Sequence, residues 1–551
     1  MKFNIKNLKI GGFLLNTQNT ILSAAFILAV TTGLNAGLGF LKGRLLAQYF
    51  GVSANLTIFY TADRIPFLIY SVLVIGAIST VFIPVFASIL KHDKDKAFKT
   101  ASAIITATLV FFLVLGGAVF ALAPLIIRGL AVGKFTESEI ALGTNLMRIM
   151  LAAQLILVAG SLITSVLQSF KIFLLPALAP LLYNIGMIVG IVFLSPKFGI
   201  YGPALGVVIG ATLHFFIQLP ALPRTSFKFI PNLNLRDKGI REIATLIPPR
   251  ILNVFLANTV DTINNSLAIL VSAPSVIFLK FATQLQTFPV NLFGISISSA
   301  SLPTLSALSD KDNMEKFKDT FLTSLHQMMF LVMPLGMILL ILRIPVVRLV
   351  YGVSNFPWEA TLKTAYSLAF FSVSIFSQSG NYLITRAFYA LKDTRTPVVV
   401  SICTAVVNIG LSLIFVIGFK LEVWAIALSY SITSILDMAI QTYLLGKKVG
   451  GFNTAKLFIP FIKISYATLL MGFTLYFPIK LLDNIVFDTA HTLNLLILTG
   501  IAGICGVSTY IIFTKLLNVY EIHLFYRFVA KFNPFKTRVA KLGVAQVEEV
   551  E

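Results

Sequence analysis

Charged side chains are scarce in this chain. They make up 12% of the residues, whereas a soluble domain carries about 25%. Hydrophobic residues make up 57%, and apolar runs of about 20 residues, long enough to cross a bilayer, recur along the whole length. These runs lack the alternation of polar and apolar residues that membrane β-strands show. The composition therefore predicts an all-α polytopic membrane protein without a soluble catalytic domain.

Cysteine and histidine are also rare, and the chain lacks the common catalytic motifs. Cys403 and Cys505 both lie inside apolar runs and predict no disulfide framework. The five histidines have no ligand spacing, and GxxxxGK[ST], HExxH and CxxC are absent. We therefore predict that the protein is not an enzyme, holds no structural or catalytic metal and is not an ATP-driven pump.

Acidic residues are half as frequent as basic ones, 22 against 43, which gives a formal net charge of +21. Most of the lysines and arginines fall in short loops on one side of the predicted membrane rather than in one basic domain. This distribution argues against nucleic acid as a partner. By the positive-inside rule it predicts that both termini are cytoplasmic.

The apolar runs predict fourteen transmembrane helices. A cleaved signal peptide is the alternative for the first run, but that run continues past any plausible cleavage site. Spans 1, 2 and 8 carry glycine or proline and are expected to bend or tilt. The predicted spans are 20–49, 64–90, 99–124, 140–167, 172–195, 200–222, 246–271, 275–308, 321–350, 359–389, 396–418, 422–446, 457–479 and 492–516.

Five landmark residues occur twice, 221 to 224 positions apart. They pair Lys171 with Lys392, Pro176 with Pro397, Asn184 with Asn408, Leu205 with Leu428, and Gln218 with Gln441. Each repeat holds six spans, an even number, so the two repeats are expected to be parallel lobes, followed by two C-terminal helices. We predict an N-terminal lobe (1–222), a cytoplasmic linker (223–245), a C-terminal lobe (246–446), spans 13–14 (447–516) and a cytoplasmic tail (517–551), which is either an interfacial helix or solvated.

Charges inside apolar spans are informative because each is costly unless it is paired or hydrated. Lys42 and Arg44 can snorkel to the membrane surface. Asp63 and Arg64 are interpreted as a local pair or anchor that opens span 2, and Arg386 as a topology anchor. Lys280 can attract an anionic headgroup or form a structural pair. The set comprises Lys42, Arg44, Asp63, Arg64, Arg148, Asp261, Lys280, Arg386 and Asp437.

Three sequence motifs lie in helix 2, in helix 8 and at the helix 10–11 turn. The helix 2 motif is Arg64-Ile-Pro66, then Gly76-Ala77-Ile-Ser79 and Phe82-Ile-Pro84-Val-Phe86. The helix 8 motif runs from Phe288-Pro289 to Leu302-Pro303-Thr-Leu-Ser306, and the most specific motif is the turn from Arg386 to Pro397. These motifs resemble the MurJ/MviN family of lipid II flippases, and the resemblance covers spans 1 to 12. It implies the multidrug/oligosaccharidyl-lipid/polysaccharide exporter fold, with two six-helix lobes and two added helices that line a hydrophobic groove.

The resemblance also implies a cavity lined by arginines on helices 1, 2 and 8, and here this chain departs from the family. The aligned positions hold Ala36 and Lys42 in helix 1, Tyr70 in helix 2 and Gln284 in helix 8. Lys280 lies one turn before Gln284 and can restore one cation. The predicted cavity residues are Lys42, Lys280, Gln284, Tyr70, Asn35 and Arg64.

A sodium site is the second feature that the resemblance implies. Asn408 matches the family, whereas Ser412 and Asn264 stand at positions that are acidic in the family, and Asp261 lies one turn before Asn264. We therefore predict an ion site at Asp261, Asn264, Asn408 and Ser412, with buried polar packing as the alternative. Coupling to Na⁺, coupling to H⁺ and use of the membrane potential alone all stay open, and no other cofactor is predicted.

The resemblance implies a flippase of the bacterial cytoplasmic membrane that exports an undecaprenyl-pyrophosphate-linked peptidoglycan precursor by alternating access, without nucleotide hydrolysis. The expected partners are the lipid-linked anionic substrate, membrane lipids and cell-wall synthesis proteins, and the expected state is a monomer. Two alternatives stay open. One is an exporter of another lipid-linked oligosaccharide, since a lysine lacks the bidentate fork of arginine. The other is a membrane scaffold of the same fold that no longer transports.

Overall fold

The computed structural model describes residues 21–74, 82, 86, 89–90, 92–233, 248–485 and 492–522, and the statements below concern these residues. The motif residues Gly76–Ser79 and Pro84, residues 234–247 of the predicted linker and the tail beyond Ile522 lie outside them. The described part is helical and contains no strand. The predicted all-α membrane fold is therefore confirmed, while the count of fourteen spans stays a prediction.

Eighteen helices of seven or more residues follow one another along the described ranges. They are α1 (Ile21–Phe50), α2 (Ala54–Ala62), α3 (Arg64–Tyr70), α4 (Lys94–Leu130), α5 (Glu137–Ser169), α6 (Leu174–Val189), α7 (Tyr201–Phe216), α8 (Pro248–Val271), α9 (Ser275–Pro289), α10 (Ser296–Ala307), α11 (Met314–Ile341), α12 (Arg343–Tyr351), α13 (Trp358–Val373), α14 (Ile375–Ala390), α15 (Arg395–Leu413), α16 (Trp424–Lys448), α17 (Thr454–Ile485) and α18 (Thr492–Leu516). Shorter helical turns connect several of them, among them the π-helical turns Gly190–Leu194, Val290–Ile295 and Ile414–Gly418.

Ten helical stretches are long and apolar enough to cross a membrane. Each coincides with a predicted span. Predicted spans 1, 8, 10 and 12 also coincide with helices, namely α1, α9–α10, α13–α14 and α16. The ten stretches are Ala54–Val74, Lys94–Leu130, Glu137–Ser169, Leu174–Phe198, Tyr201–Thr225, Val254–Val271, Met314–Ile341, Arg395–Gly418, Thr454–Leu481 and Leu493–Leu516.

The second span begins earlier than the sequence indicates. Its helical stretch starts at Ala54, so Asp63 and Arg64 lie inside it and not at its start, which corrects the predicted beginning at residue 64. Asp63 occupies the junction between α2 and α3. The break follows from Pro66, whose ring nitrogen cannot donate to the carbonyl of Ala62 four residues earlier. The sequence placed these charges at the start of the span because an unpaired arginine is unfavourable inside a membrane. In the structure, Arg64 is instead buried within the helical stretch.

The predicted bends are present in part. π-helical turns interrupt the second span at residues 71–74 and the eighth at Val290–Ile295, as expected for helices that contain glycine and proline. In contrast, α1 continues without a break from Ile21 to Phe50, although it contains three of the glycines expected to bend it. Isolated glycines are tolerated within a helix at a modest cost in stability.

The sequence repeat is also visible in local geometry. Lys171 and Lys392 both adopt a left-handed backbone, with φ of 59° and 58°, at the turn before the fifth and eleventh spans. Each of these two spans then ends in a π-helical turn, Gly190–Leu194 and Ile414–Gly418. The landmark glutamines each accept a hydrogen bond from a threonine hydroxyl, Gln218 from Thr164 at 2.7 Å and Gln441 from Thr385 at 3.5 Å. These matched features support the repeat that the landmark residues indicate.

The described chain divides into two compact units. Unit 1 comprises residues up to Phe281 together with Val350–Thr364 and Ser401–Ser429, and unit 2 comprises Ala282–Leu349, Ala365–Val400 and the residues from Tyr430 onward. The lobe boundaries predicted from the sequence are not tested by this division and stay a prediction.

Helices α17 and α18, the predicted spans 13 and 14, belong to the core of unit 2. Their buried residues pack in one hydrophobic cluster with those of α11 and α14. Tyr510 of α18 donates a hydrogen bond to the carbonyl of Phe330 in α11 at 2.7 Å. The first tail residues join the same cluster, with Val519 and Ile522 buried, so the tail begins packed against protein.

Candidate functional site

Five charged residues come together within unit 1 although they are far apart in sequence. Lys42 lies in α1, Asp63 and Arg64 lie at the junction of α2 and α3, Asp261 lies in α8 and Lys280 lies in α9. Lys280 interacts electrostatically with Asp63, Arg64, Asp261 and Lys42. We call these five residues the charged cluster. The structure thus brings together the two lysines on which the predicted cavity depends.

The strongest contact in the charged cluster is an ion pair between Arg64 and Asp261. Arg64 Nη1 donates to Asp261 Oδ2, across 197 positions of sequence. The side chain of Arg64 is 9% exposed, whereas that of Asp261 is 54% exposed. The predicted local ion pair between Asp63 and Arg64 is therefore wrong, because Arg64 forms its salt bridge with a carboxylate from another helix. Asp63 contributes to the cluster through its charge.

Lys42 is held by an asparagine that the sequence analysis treated only as a repeat landmark. Its Nζ donates to Asn184 Oδ1 at 3.0 Å, and Asn184 Nδ2 donates to Asn35 Oδ1 at 2.8 Å. One side chain from α6 therefore orients two predicted cavity residues of α1. This contact argues against snorkelling of Lys42, because its ammonium is bound to a buried amide of the neighbouring helix.

Tyr70 and Gln284, two of the three uncharged residues at the positions where the resemblance implies arginines, lie in different units. The hydroxyl of Tyr70 is 3.1 Å from Ser161 Oγ of α5 in unit 1. Gln284 is half-buried and belongs to unit 2, since the division of α9 falls after Phe281. Ser161 was not singled out from the sequence, and no pattern in the sequence marks it.

The residues of the predicted ion site are only partly brought together. Asn264 Nδ2 donates to Asn408 Oδ1 at 2.9 Å, and both side chains are buried. The hydroxyl of Ser412 bonds instead to that of Ser429 at 2.6 Å, and the Asp261 carboxylate is engaged by Arg64. The side-chain oxygens of Asn264 and Asn265 are buried without a hydrogen-bond partner. Across the described ranges no group of His, Cys, Asp and Glu residues forms a metal site.

Three of the remaining charges inside predicted spans contact residues outside the charged cluster. Arg44 donates to the carbonyl of Val350 at 3.2 Å. Arg148 lies over the ring of Phe120, with 4.7 Å from Cζ to the ring centroid, as in a cation–π contact. Asp437 Oδ2 accepts from Gln441 Nε2 at 2.9 Å. None of these contacts joins the charged cluster.

Comparison with known proteins identifies the relatives of this chain. The family model described as "Lipid II flippase MurJ" matches residues 46–496. A probable lipid II flippase MurJ of Buchnera aphidicola subsp. Acyrthosiphon pisum is 28% identical over 499 residues, covering 89% of this chain and 96% of the relative. A probable lipid II flippase MurJ of Thermotoga maritima is 27% identical over 485 residues, covering 88% and 94%.

Solved structures show the same fold. A lipid II flippase MurJ in an inward closed conformation matches with a TM-score of 0.74 and 24% identity, covering 92% of this chain and 99% of that one. An inward-facing MATE family transporter of the MOP superfamily matches with a TM-score of 0.63 and 15% identity, covering 77% and 94%. These likenesses agree with the exporter fold predicted from the sequence. Since the family model spans most of the chain, the chain belongs to the lipid II flippase MurJ family.

Proposed function

We propose that this protein is a lipid II flippase that carries the headgroup from the cytoplasmic to the outer leaflet by alternating access. Membership of the family supports the substrate. The observation that carries the site is the charged cluster, in which Lys280 lies within electrostatic reach of both Lys42 and Arg64. In this proposal the diphosphate of the headgroup binds there while the polyprenyl tail stays in the lipid.

The energetics fit a passive anion carrier. Each charge-assisted hydrogen bond to a phosphate stabilises by about 1.5–3 kcal/mol, so a few cations suffice to offset part of the headgroup's lost hydration. A membrane potential that is negative inside favours outward movement of an anion by about 2.3 kcal/mol per charge per 100 mV. No nucleotide is needed in this scheme.

The test of the site is a lipid II transport assay in proteoliposomes with Lys42→Ala combined with Lys280→Ala. Loss of two cations from the charged cluster should lower the transport rate at least tenfold, because the free energy of even one charge-assisted hydrogen bond corresponds to about a tenfold change in rate. The matched control is Lys197→Ala combined with Lys420→Ala, because both of these lysines are exposed and lie outside the charged cluster. If the Lys42→Ala, Lys280→Ala double variant transports at the wild-type rate, these two lysines do not belong to the substrate-binding site.

A second candidate function follows from the residues at the family's arginine positions. Ala36, Tyr70 and Gln284 carry no charge there, which favours a different lipid-linked oligosaccharide or a scaffold without transport. Complementation of a cell depleted of its own flippase separates these functions. We expect this chain to restore growth. A chain that reaches the membrane but does not restore growth would support one of the two alternatives. A screen of lipid-linked glycans would then separate them, because only an exporter of another oligosaccharide should bind one.

For the coupling of transport to an ion, we propose a monovalent cation site at Asn264 and Asn265. Their buried side-chain oxygens lack partners, and neutral oxygens suit a hard cation. Sodium should therefore raise the melting temperature more than choline at equal ionic strength, and Asn265→Leu should abolish the difference. Equal melting temperatures of the wild type in the two salts would refute this site.

A further inference from the structure

The Arg64–Asp261 ion pair is asymmetric in its burial. Arg64 has a side chain that is 9% exposed, so its guanidinium stays enclosed by protein. Asp261 is 54% exposed, so its carboxylate is the less enclosed partner and has room to turn away from Arg64. If the pair opens, the aspartate is the partner that can leave, and the arginine is the partner that then requires another anion.

Asp261 also sets the charge of the cluster. Three cations (Lys42, Arg64 and Lys280) and two anions (Asp63 and Asp261) leave a formal net charge of +1. A cluster with so small a surplus attracts a diphosphate weakly, and Arg64, the cluster's arginine, is engaged by a carboxylate. Phosphate and carboxylate compete for the same planar donor fork, which lysine lacks. Asp261 occupies Nη1, so a phosphate can bind both terminal nitrogens of the fork only when Asp261 releases it.

We propose that Asp261 is an internal competitor of the substrate: its carboxylate holds Arg64 until the phosphates of the anionic headgroup displace it. The inference rests on the proposed function and deepens it, because it identifies Arg64 as the phosphate-binding arginine and Asp261 as the residue that limits affinity. The pair joins α3 of the first repeat to α8 of the second. Substrate binding therefore exchanges a bond between two helices for a bond to the substrate.

The test measures binding of lipid II, and separately of inorganic pyrophosphate, to the full chain in nanodiscs. Asp261→Asn removes the competing charge but keeps the side-chain shape, so lipid II should bind roughly tenfold more tightly than to the wild type. In the Arg64→Gln background the same change should give no gain, because the contested group is gone. Asp437→Asn, which also removes a span carboxylate, is the matched control and should leave the affinity unchanged.

A second measurement uses the wild-type protein and so does not depend on whether a variant folds. Carbodiimide modification of Asp261, quantified by mass spectrometry, should increase several-fold when lipid II or pyrophosphate is added, because the freed carboxylate becomes more accessible. A structural role alone predicts neither the gain in affinity nor the increase in modification. Modification that falls or stays constant on ligand binding would contradict the proposal, as would an Asp261→Asn variant that binds more weakly.

The two probes separate this inference from the proposed function. If lipid II binds the wild type but Asp261→Asn brings no gain, the competitor role fails and the flippase function stands. If pyrophosphate shows the Asp261 effect while lipid II does not bind, the competitor role stands for diphosphates and the substrate assignment fails.

Discussion

At the scale of single residues, Asp393 organises the turn between α14 and α15. Its carboxylate accepts hydrogen bonds from Lys448 Nζ at 2.6 Å, from Thr396 Oγ1 at 2.8 Å and from the backbone N–H of Thr396 at 3.0 Å. Burial on its own would raise the pKa of Asp393. The bonds from Lys448 and Thr396 outweigh that effect and lower the pKa from 3.8 to about 2.

This shift predicts a pH-dependent contribution to stability. A carboxylate whose pKa is lowered by folding stabilises the native state above its unfolded pKa of about 3.9, and the contribution is lost as the pH falls toward 2. Chemical unfolding should show that Asp393→Asn is less stable than the wild type by about 2 kcal/mol at pH 6, with the difference shrinking between pH 4 and pH 2.

The matched control for Asp393 is Asp319→Asn. Asp319 also pairs with a lysine, Lys456 at 2.9 Å, but its side chain is 56% exposed, so the change in stability should stay below about 1 kcal/mol. A difference between wild type and Asp393→Asn that remains constant from pH 6 to pH 2 would mean that the hydrogen bonds of Asp393 do not depend on its charge.

The residue scale also shows where sequence reasoning reaches its limit. The charges of Lys42, Lys280 and Asp261 were identified from the sequence because ionisable residues in apolar runs are rare. The ion-pair partner of Arg64 was not identified from the sequence, since it lies 197 positions away and Asp63 is directly adjacent to Arg64 in sequence. Asn184 could have been predicted as a site residue, because the repeat relates it to Asn408, which was already a candidate site residue.

At the scale of helices, glycines allow α6 and α7 to pack with their backbones in contact. A Cβ added at Gly186 would lie 2.3 Å from the Cα of Gly210, and one added at Gly190 would lie 2.3 Å from the Cα of Gly206. Gly186 and Gly190, the second in the π-helical turn that continues α6, are spaced as Gly-xxx-Gly, as are Gly206 and Gly210 in α7. This is the arrangement by which small residues bring membrane helices together. The clash in each case involves backbone atoms, which cannot move aside independently of the helix.

The repeat provides a matched pair for testing this contact. Gly410 corresponds to Gly186 at the repeat spacing, but a Cβ added there meets nothing within 4 Å. Gly186→Ala should therefore lower the free energy of unfolding by about 1–3 kcal/mol through overpacking. Gly410→Ala should raise it by up to about 1 kcal/mol through better helix propensity. Thermal unfolding in one detergent would compare the two, and changes of the same sign would contradict the assigned contact.

Helices themselves were the most predictable feature, and their irregularities were the least. Long apolar runs located every span in the described part of the chain, because apolar length is what a bilayer selects. The early start of the second span was missed, since it depends on the burial of Arg64 against a distant carboxylate. The π-helical turns that end the fifth and eleventh spans were also not foreseen, because tertiary packing rather than local composition decides them.

At the scale of the whole molecule, two parallel repeats require that corresponding loops lie on the same side of the membrane. Lys171 and Lys392 mark one such pair, and Lys197 and Lys420 lie near the other ends of the same two spans. All four lysines are exposed. The distribution of basic residues predicts that the first pair is cytoplasmic and the second pair external. An inverted repeat would place the members of each pair on opposite sides.

Single-cysteine labelling in intact cells tests this topology. Since Cys403 and Cys505 are exposed, both are first changed to serine. A membrane-impermeant maleimide should then modify Lys197→Cys and Lys420→Cys in intact cells, and Lys171→Cys and Lys392→Cys only after permeabilisation. If the two members of either pair are labelled from opposite sides of the membrane, each repeat must contain an odd number of spans. That result would exclude the parallel arrangement, even though the matched turns and Thr–Gln bonds would still relate the two halves.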